Sequence, residues 1–235
     1  MVHEIQVLCL TAATIGLVHT VLGPDHYLPF IMMGRAQSWS LRKTICVTLL
    51  CGVGHVGSSV VLGLGGAAAG VAVGRLEAFE AIRGNFAAWA LAAFGFVYMV
   101  WGLRAAYRNR PHSHWHAHDA ATVHKHEHAH ETSHAHVHGD ASNITPWVLF
   151  TVFILGPCEP LIPLLMYPAA QHSLWGVVCV TAIFGIVTLT AMTGAVVIVL
   201  RGVSLVKLGA LERYTHAAAG ATLCAAGLAV RFLGL

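Results

Sequence analysis

The sequence predicts an all-α, polytopic membrane protein of six transmembrane helices arranged as two inverted three-helix repeats. Three observations carry this. The 235 residues are 57% hydrophobic and only 10% charged, with mean hydropathy +0.70, whereas soluble domains carry about 25% charge. The apolar runs are long and continuous rather than alternating, and of the two architectures that satisfy the backbone in lipid this selects helices over a barrel. Finally, a Gly-Pro break recurs. The first copy reads L-G-P-D-H-Y-L-P from Leu22 to Pro29, the second L-G-P-C-E-P-L-I-P from Leu155 to Pro163.

The first span, Ile5–Leu22, runs into the first break. It has no basic leader and no A-x-A site, so it is read as a span and not as a cleaved signal peptide. The second, Thr44–Leu64, carries G-V-G-H-V-G-S-S at Gly52–Ser59 and continues toward Val73 through a Gly/Ala-rich stretch. The third is Phe86–Leu103, the fourth Trp147–Tyr167 with the second break inside it, the fifth Leu174–Leu200 and the sixth Tyr214–Leu233. Each comes close to the roughly 20 apolar residues a span requires. Trp39, Trp101, Trp147 and Trp175 fit an aromatic belt.

These spans divide the chain into a first repeat (1–104), a loop (105–143) and a second repeat (144–235). Each break is followed by two further spans. An odd number of spans per repeat inverts the second copy, and in such proteins the site forms near the midplane from discontinuous helices. Ten of the thirteen Lys and Arg residues fall in the loops after spans one, three and five. The positive-inside rule then places both termini outside and the central loop in the cytoplasm of a bacterial inner (plasma) membrane. That bias accounts for the net charge of +3 without nucleic acid as a partner.

The loop holds His112, His114, His116, His118, His124, His126, His128, His130, His134, His136 and His138. An H-x-H-x-H pattern offers no apolar face to pack, so the loop is expected to be disordered when free. Neutral imidazole binds late first-row divalent ions, and a dense His tract reads as a metal-collecting segment.

Ionisable groups at membrane depth mark ion or substrate paths. His19 and His26 are seven residues apart, about 10 Å along an unbroken helix, too far to share one ion. The intervening Gly23-Pro24 break makes it possible to fold Asp25 and His26 back toward His19. His55 is the only ionisable residue of its span, and Glu159 and Cys158 follow the second break. The candidate metal residues are therefore His19, Asp25, His26, His55, Glu159 and Cys158. A mixed imidazole and carboxylate set suits Ni²⁺, Co²⁺ or Zn²⁺ better than Mg²⁺ or Ca²⁺. Ser58, Ser59 and Met166 read as packing residues, His172 and His216 as interfacial, and the remaining cysteines as small core residues. No P-loop is present, and no enzyme activity or prosthetic group is expected.

H-T-V-L-G-P-D-H at 19–26 and G-H-V-G-S-S at 54–59 resemble the nickel/cobalt transporter superfamily, in particular its shorter urease-accessory-type membrane branch. The His-rich loop is similar to that of the nickel/cobalt efflux members. Uptake permeases of the superfamily carry four residues between the His and the Asp-His pair and have eight spans; here there are five and six. The resemblance implies His19, Asp25, His26 and His55 as metal-path residues. It also implies a secondary transporter of a divalent metal, Ni²⁺ or Co²⁺ first, with efflux favoured by a cytoplasmic collecting loop. The alternative is a membrane-anchored metallochaperone or metal sensor supplying a nickel enzyme such as urease, with a cytoplasmic metallochaperone or maturation system as partner. The G-P-C-E-P segment also resembles membrane thiol–disulfide electron carriers, a third reading, although Asp25 occupies the position of their partner cysteine.

Overall fold

The computed structural model describes residues 2–108, 112–118, 122–128, 141–156, 158, 160–203 and 213–233. In chain order these form α1 (Val2–Leu22), a 3₁₀ turn (Pro24–His26), α2 (Leu28–Ala36), α3 (Leu41–Ala68), α4 (Val73–Arg108), β1 (His112–His118), β2 (Thr122–His128), α5 (Ala141–Leu155), α6 (Leu161–Ala170), α7 (Leu174–Val203) and α8 (Thr215–Leu233).

The two Gly-Pro motifs break helices as their chemistry requires. Gly23 leaves the helical region, with φ −89° and ψ 93°, and Pro24 opens the 3₁₀ turn. The second motif separates α5 from α6. Five helices, α1, α3, α4, α7 and α8, are long and apolar enough to cross a membrane. The fourth expected span, Trp147–Tyr167, is two shorter apolar helices because the break falls near its middle. Large apolar side chains such as Leu10, Val61, Phe86, Leu174 and Ile198 face outward, as an integral membrane protein requires where lipid replaces water.

Helix limits differ from the sequence expectation mainly around α3 and α4. Ser40 caps α3, its Oγ accepting from Lys43 N–H at 3.2 Å, so α3 starts three residues before Thr44. It ends at Ala68, just before Gly70 at φ +69°, a left-handed conformation that glycine adopts without strain. α4 then begins at Val73, well before Phe86. The added turns carry Arg75, Glu77, Glu80 and Arg83, charges that hide a helix from a hydropathy reading. Within 105–143, α4 reaches Arg108, α5 starts at Ala141, and the backbones of β1 and β2 pair antiparallel with His112 opposite His128 and His116 opposite His124. The period-two alternation of this tract is that of an extended chain.

Glycines set the closest helix contact. α4 and α8 run antiparallel, Gly95 and Gly102 facing Gly220 to Cys224 and Ala217, and Gly227 facing Ala88 and Ala92. A Cβ at Gly220 would strike the backbone of Gly95 and Met99. Small residues allow this approach, and dispersion contacts between backbones replace the hydrophobic drive that lipid cannot supply. Near the N-terminal end of α8, Tyr98 Oη and His216 Nδ1 share a 2.7 Å hydrogen bond, so His216, expected at the interface, joins two helices. Gln37 donates to Thr145 Oγ1 at 2.7 Å and accepts from Trp39 Nε1 at 3.0 Å.

Because backbone faces Gly220, the clash cannot be relieved by a rotamer change. Gly220→Val should cost about 2–3 kcal/mol or abolish folding, read as a lowered melting temperature in detergent. Gly194→Ala on α7, with open space beside it, should be neutral or stabilising by up to about 1 kcal/mol.

Candidate metal centre

Three histidines from two elements and one break converge at the middle of the bundle. His19 comes from the last turn of α1, His26 from the 3₁₀ turn and His55 from the middle of α3. The ring centroids of His19 and His26 are 4.7 Å apart and those of His26 and His55 are 5.1 Å apart. One nitrogen from each ring lies within 4.8 Å of the other two. His26 and His55 are buried, and His19 is half-buried.

The break produces this convergence. Gly23 N–H donates to His19 O at 2.9 Å, closing the last turn of α1, and His26 N–H donates to Gly23 O at 3.1 Å. The 3₁₀ turn shortens the distance an unbroken helix would impose, and the His26 ring meets that of His19 edge-on. A Cβ at Gly23 would lie 2.6 Å from His26 Nδ1 and 2.9 Å from Asp25 Oδ1, so the turn leaves no room for a side chain there.

Hydrogen bonding fixes which nitrogen each ring offers. His26 Nδ1 lies 3.1 Å from Gly23 O and 3.1 Å from Asp25 Oδ1. His55 Nδ1 lies 3.2 Å from Phe153 O on α5. These partners are a carbonyl or a carboxylate and can only accept, so Nδ1 carries the proton in both rings and Nε2 presents a lone pair. The Nε2 atoms of His19, His26 and His55 are all buried without a hydrogen-bond partner. Buried polar atoms normally find partners. Three orphans in one cluster of rings, two of them with their opposite nitrogens engaged by oxygen, match the way metal-ligating histidines are oriented.

Two apolar clusters flank the group. Phe30, Met33, Leu149, Phe153 and Met192 belong to one, with Phe30 and Phe153 at 4.7 Å; Ala12, Val56, Leu161 and Phe184 belong to the other. A narrow cleft bordered by Ala87, Ala88 and Val230 reaches Asp25, His26 and His55.

The remaining sequence-derived candidates fall elsewhere. Asp25 stands behind His26 as its hydrogen-bond partner, outside the three-nitrogen group. Cys158 is fully buried in the second apolar cluster. Glu159 lies outside the described residues, as do the side chains of the eleven loop histidines.

A neighbouring polar cluster was missed. Glu80 is completely buried, and its Oε2 accepts from Arg83 Nη2 at 2.8 Å, Ser59 Oγ at 3.3 Å and the Cys158 N–H at 3.2 Å. Arg83 Nη2 also donates to Ser59 Oγ at 2.8 Å and to Gly156 O at 3.2 Å. Ser59 is therefore more than the packing residue expected. The available signal was Glu80 and Arg83, three residues apart beside an apolar run, where they share a helix face.

No family model matches this chain, and no curated protein or solved structure matches it.

The geometry separates two kinds of substitution, best read in a chain whose loop histidines are replaced by serine so that only the buried site titrates. His26→Ala should weaken Co²⁺ binding at least about 100-fold by calorimetry. Asp25→Asn, which leaves all three nitrogens, should weaken it by about 10–100-fold. Neutral imidazole is the binding form, so affinity should fall as pH drops and protons displace the ion; pH-independent binding would exclude the three histidines as ligands.

Proposed function

We propose that this protein is a secondary membrane transporter of a divalent transition-metal ion, Ni²⁺ or Co²⁺ first and Zn²⁺ as an alternative, with efflux favoured over uptake. The observation that carries the reading is the set of three buried, unpartnered Nε2 atoms at a helix break inside an apolar bundle. Imidazole nitrogen suits this group of ions and not Mg²⁺ or Ca²⁺. Three nitrogens leave coordination positions open, and an ion held this way can also be released.

The packing supports an inverted-repeat mechanism. α1 packs on α7, while α5 and α6 pack on α3. α4 packs on α8, and α3 packs on α7. Exchange of the two halves, α1 with α5–α6, α3 with α7 and α4 with α8, reproduces the same set of neighbours. On this reading the six spans are α1–α2, α3, α4, α5–α6, α7 and α8, two of them discontinuous, and the broken spans of both halves meet α3 at His55. Rocking of one half against the other would expose the histidines to each side in turn. The His-rich loop, expected in the cytoplasm from the Lys and Arg bias, would raise the local ion concentration where export starts.

Metal flux in sealed proteoliposomes tests the reading. Wild type should move Ni²⁺ or Co²⁺, and His26→Ala should fall to the leak of empty vesicles. Absence of flux from folded, metal-binding wild type, in both directions and with a proton gradient, would overturn transport and leave the metallochaperone or sensor reading.

A further inference from the structure

The pair of fully buried Glu80 and half-buried Arg83 has no place in the metal group, yet it touches the second helix break at two backbone positions. Arg83 donates to Gly156 O and Glu80 accepts from Cys158 N–H. Placing a carboxylate and a guanidinium in a membrane protein interior is costly, and a buried ion pair is weak evidence for stability in itself. The break explains the cost. α5 ends at Leu155 and α6 begins at Leu161, so the Gly156 carbonyl and the Cys158 amide lie outside both helices, and in lipid no water takes the place of a helical partner. One end of the pair supplies a donor and the other an acceptor.

The same break supports the third histidine. His55 Nδ1 donates to Phe153 O, and Phe153 O also accepts from Gly156 N–H at 3.1 Å. A Cβ at Gly156 would lie 3.3 Å from His55 Nδ1. The last turn of α5 is thus the surface against which the His55 ring is set, and Arg83 pins that turn through Gly156 O. Ser59, one turn along α3 from His55, is tied to both charged groups. A continuous path of hydrogen bonds and backbone runs from Glu80 through Arg83, Gly156 and Phe153 to the Nε2 of His55.

We propose that Glu80 and Arg83 are positioning residues for the metal site: they hold the second helix break in the conformation that orients His55, and so set metal affinity and coordination geometry without touching the ion. This rests on the three-histidine site binding a metal ion, and does not depend on transport.

The test uses full-length protein in detergent with the loop histidines replaced by serine, and Co²⁺ as the probe, read by calorimetry and by its visible ligand-field absorption. Arg83→Gln should weaken Co²⁺ binding by about 10–100-fold, the usual scale for residues behind metal ligands, and should alter the absorption band. In a His55→Ala background the same substitution should have little further effect, because its influence passes through His55. Removal of one charge can unfold a buried pair, so Glu80→Gln/Arg83→Gln, which removes both, gives the second reading and should show the same loss of affinity and the same dependence on His55. Equal losses with and without His55, or an unchanged affinity and absorption band in the folded variants, would overturn the proposal. Wild type that binds no Co²⁺ would overturn the metal centre itself; wild type that binds Co²⁺ but shows no flux would leave this inference standing and remove transport.

Discussion

A broken helix in a bilayer must satisfy its freed backbone groups with protein atoms, and the whole architecture turns on that constraint. Each of the two Gly-Pro motifs leaves backbone groups outside the helices it separates, and in lipid an unmet hydrogen bond costs several kcal/mol. At the first break the local chain largely satisfies itself: Gly23 O accepts from His26 N–H and lies beside His26 Nδ1. At the second the partners come from α3 and α4: Ser59, Glu80 and Arg83, with His55 joining at Phe153 O. Those partners fasten the two halves together around the histidines.

The arrangement gives each polar residue a distinct task. His19, His26 and His55 present unpartnered nitrogens. Asp25 and the Phe153 carbonyl orient two of the rings. Glu80, Arg83 and Ser59 hold the segment that does the orienting. As proposed ligands the three rings would bind as neutral imidazoles, and the charged groups stand behind them. Desolvating an ion is expensive for protein and metal alike; a neutral three-nitrogen pocket with a carboxylate one bond further out moderates both costs. The closest backbone approach lies elsewhere, at the glycine-lined contact of α4 with α8.

Much of this was legible in the residues. Composition and run length required membrane helices, and the helical structure, with five helices long and apolar enough to cross a membrane, agrees at that level. The Gly-Pro motifs marked both breaks. The seven-residue spacing of His19 and His26 made sense only with a break between them, and across that break their rings meet. Two things were not legible. The start of α4 was hidden by its charges, because hydropathy averages over a window and cannot see that Glu80 and Arg83 neutralise each other. Partners of the break at Gly156 were also hidden, since they lie some 70 to 100 residues away in the chain.

The sequence by itself determined where helices must form and where they must fail, because helix propagation, proline's missing amide and the cost of polar groups in lipid are local or nearly local effects. Only the tertiary structure decided which of the ionisable residues meet. His55 joined His19 and His26, Asp25 took the place behind His26, and Cys158 was packed among apolar side chains. That choice depends on the relative rotation and depth of helices packed through glycine and alanine, a property of facing surfaces that no single stretch of the chain encodes.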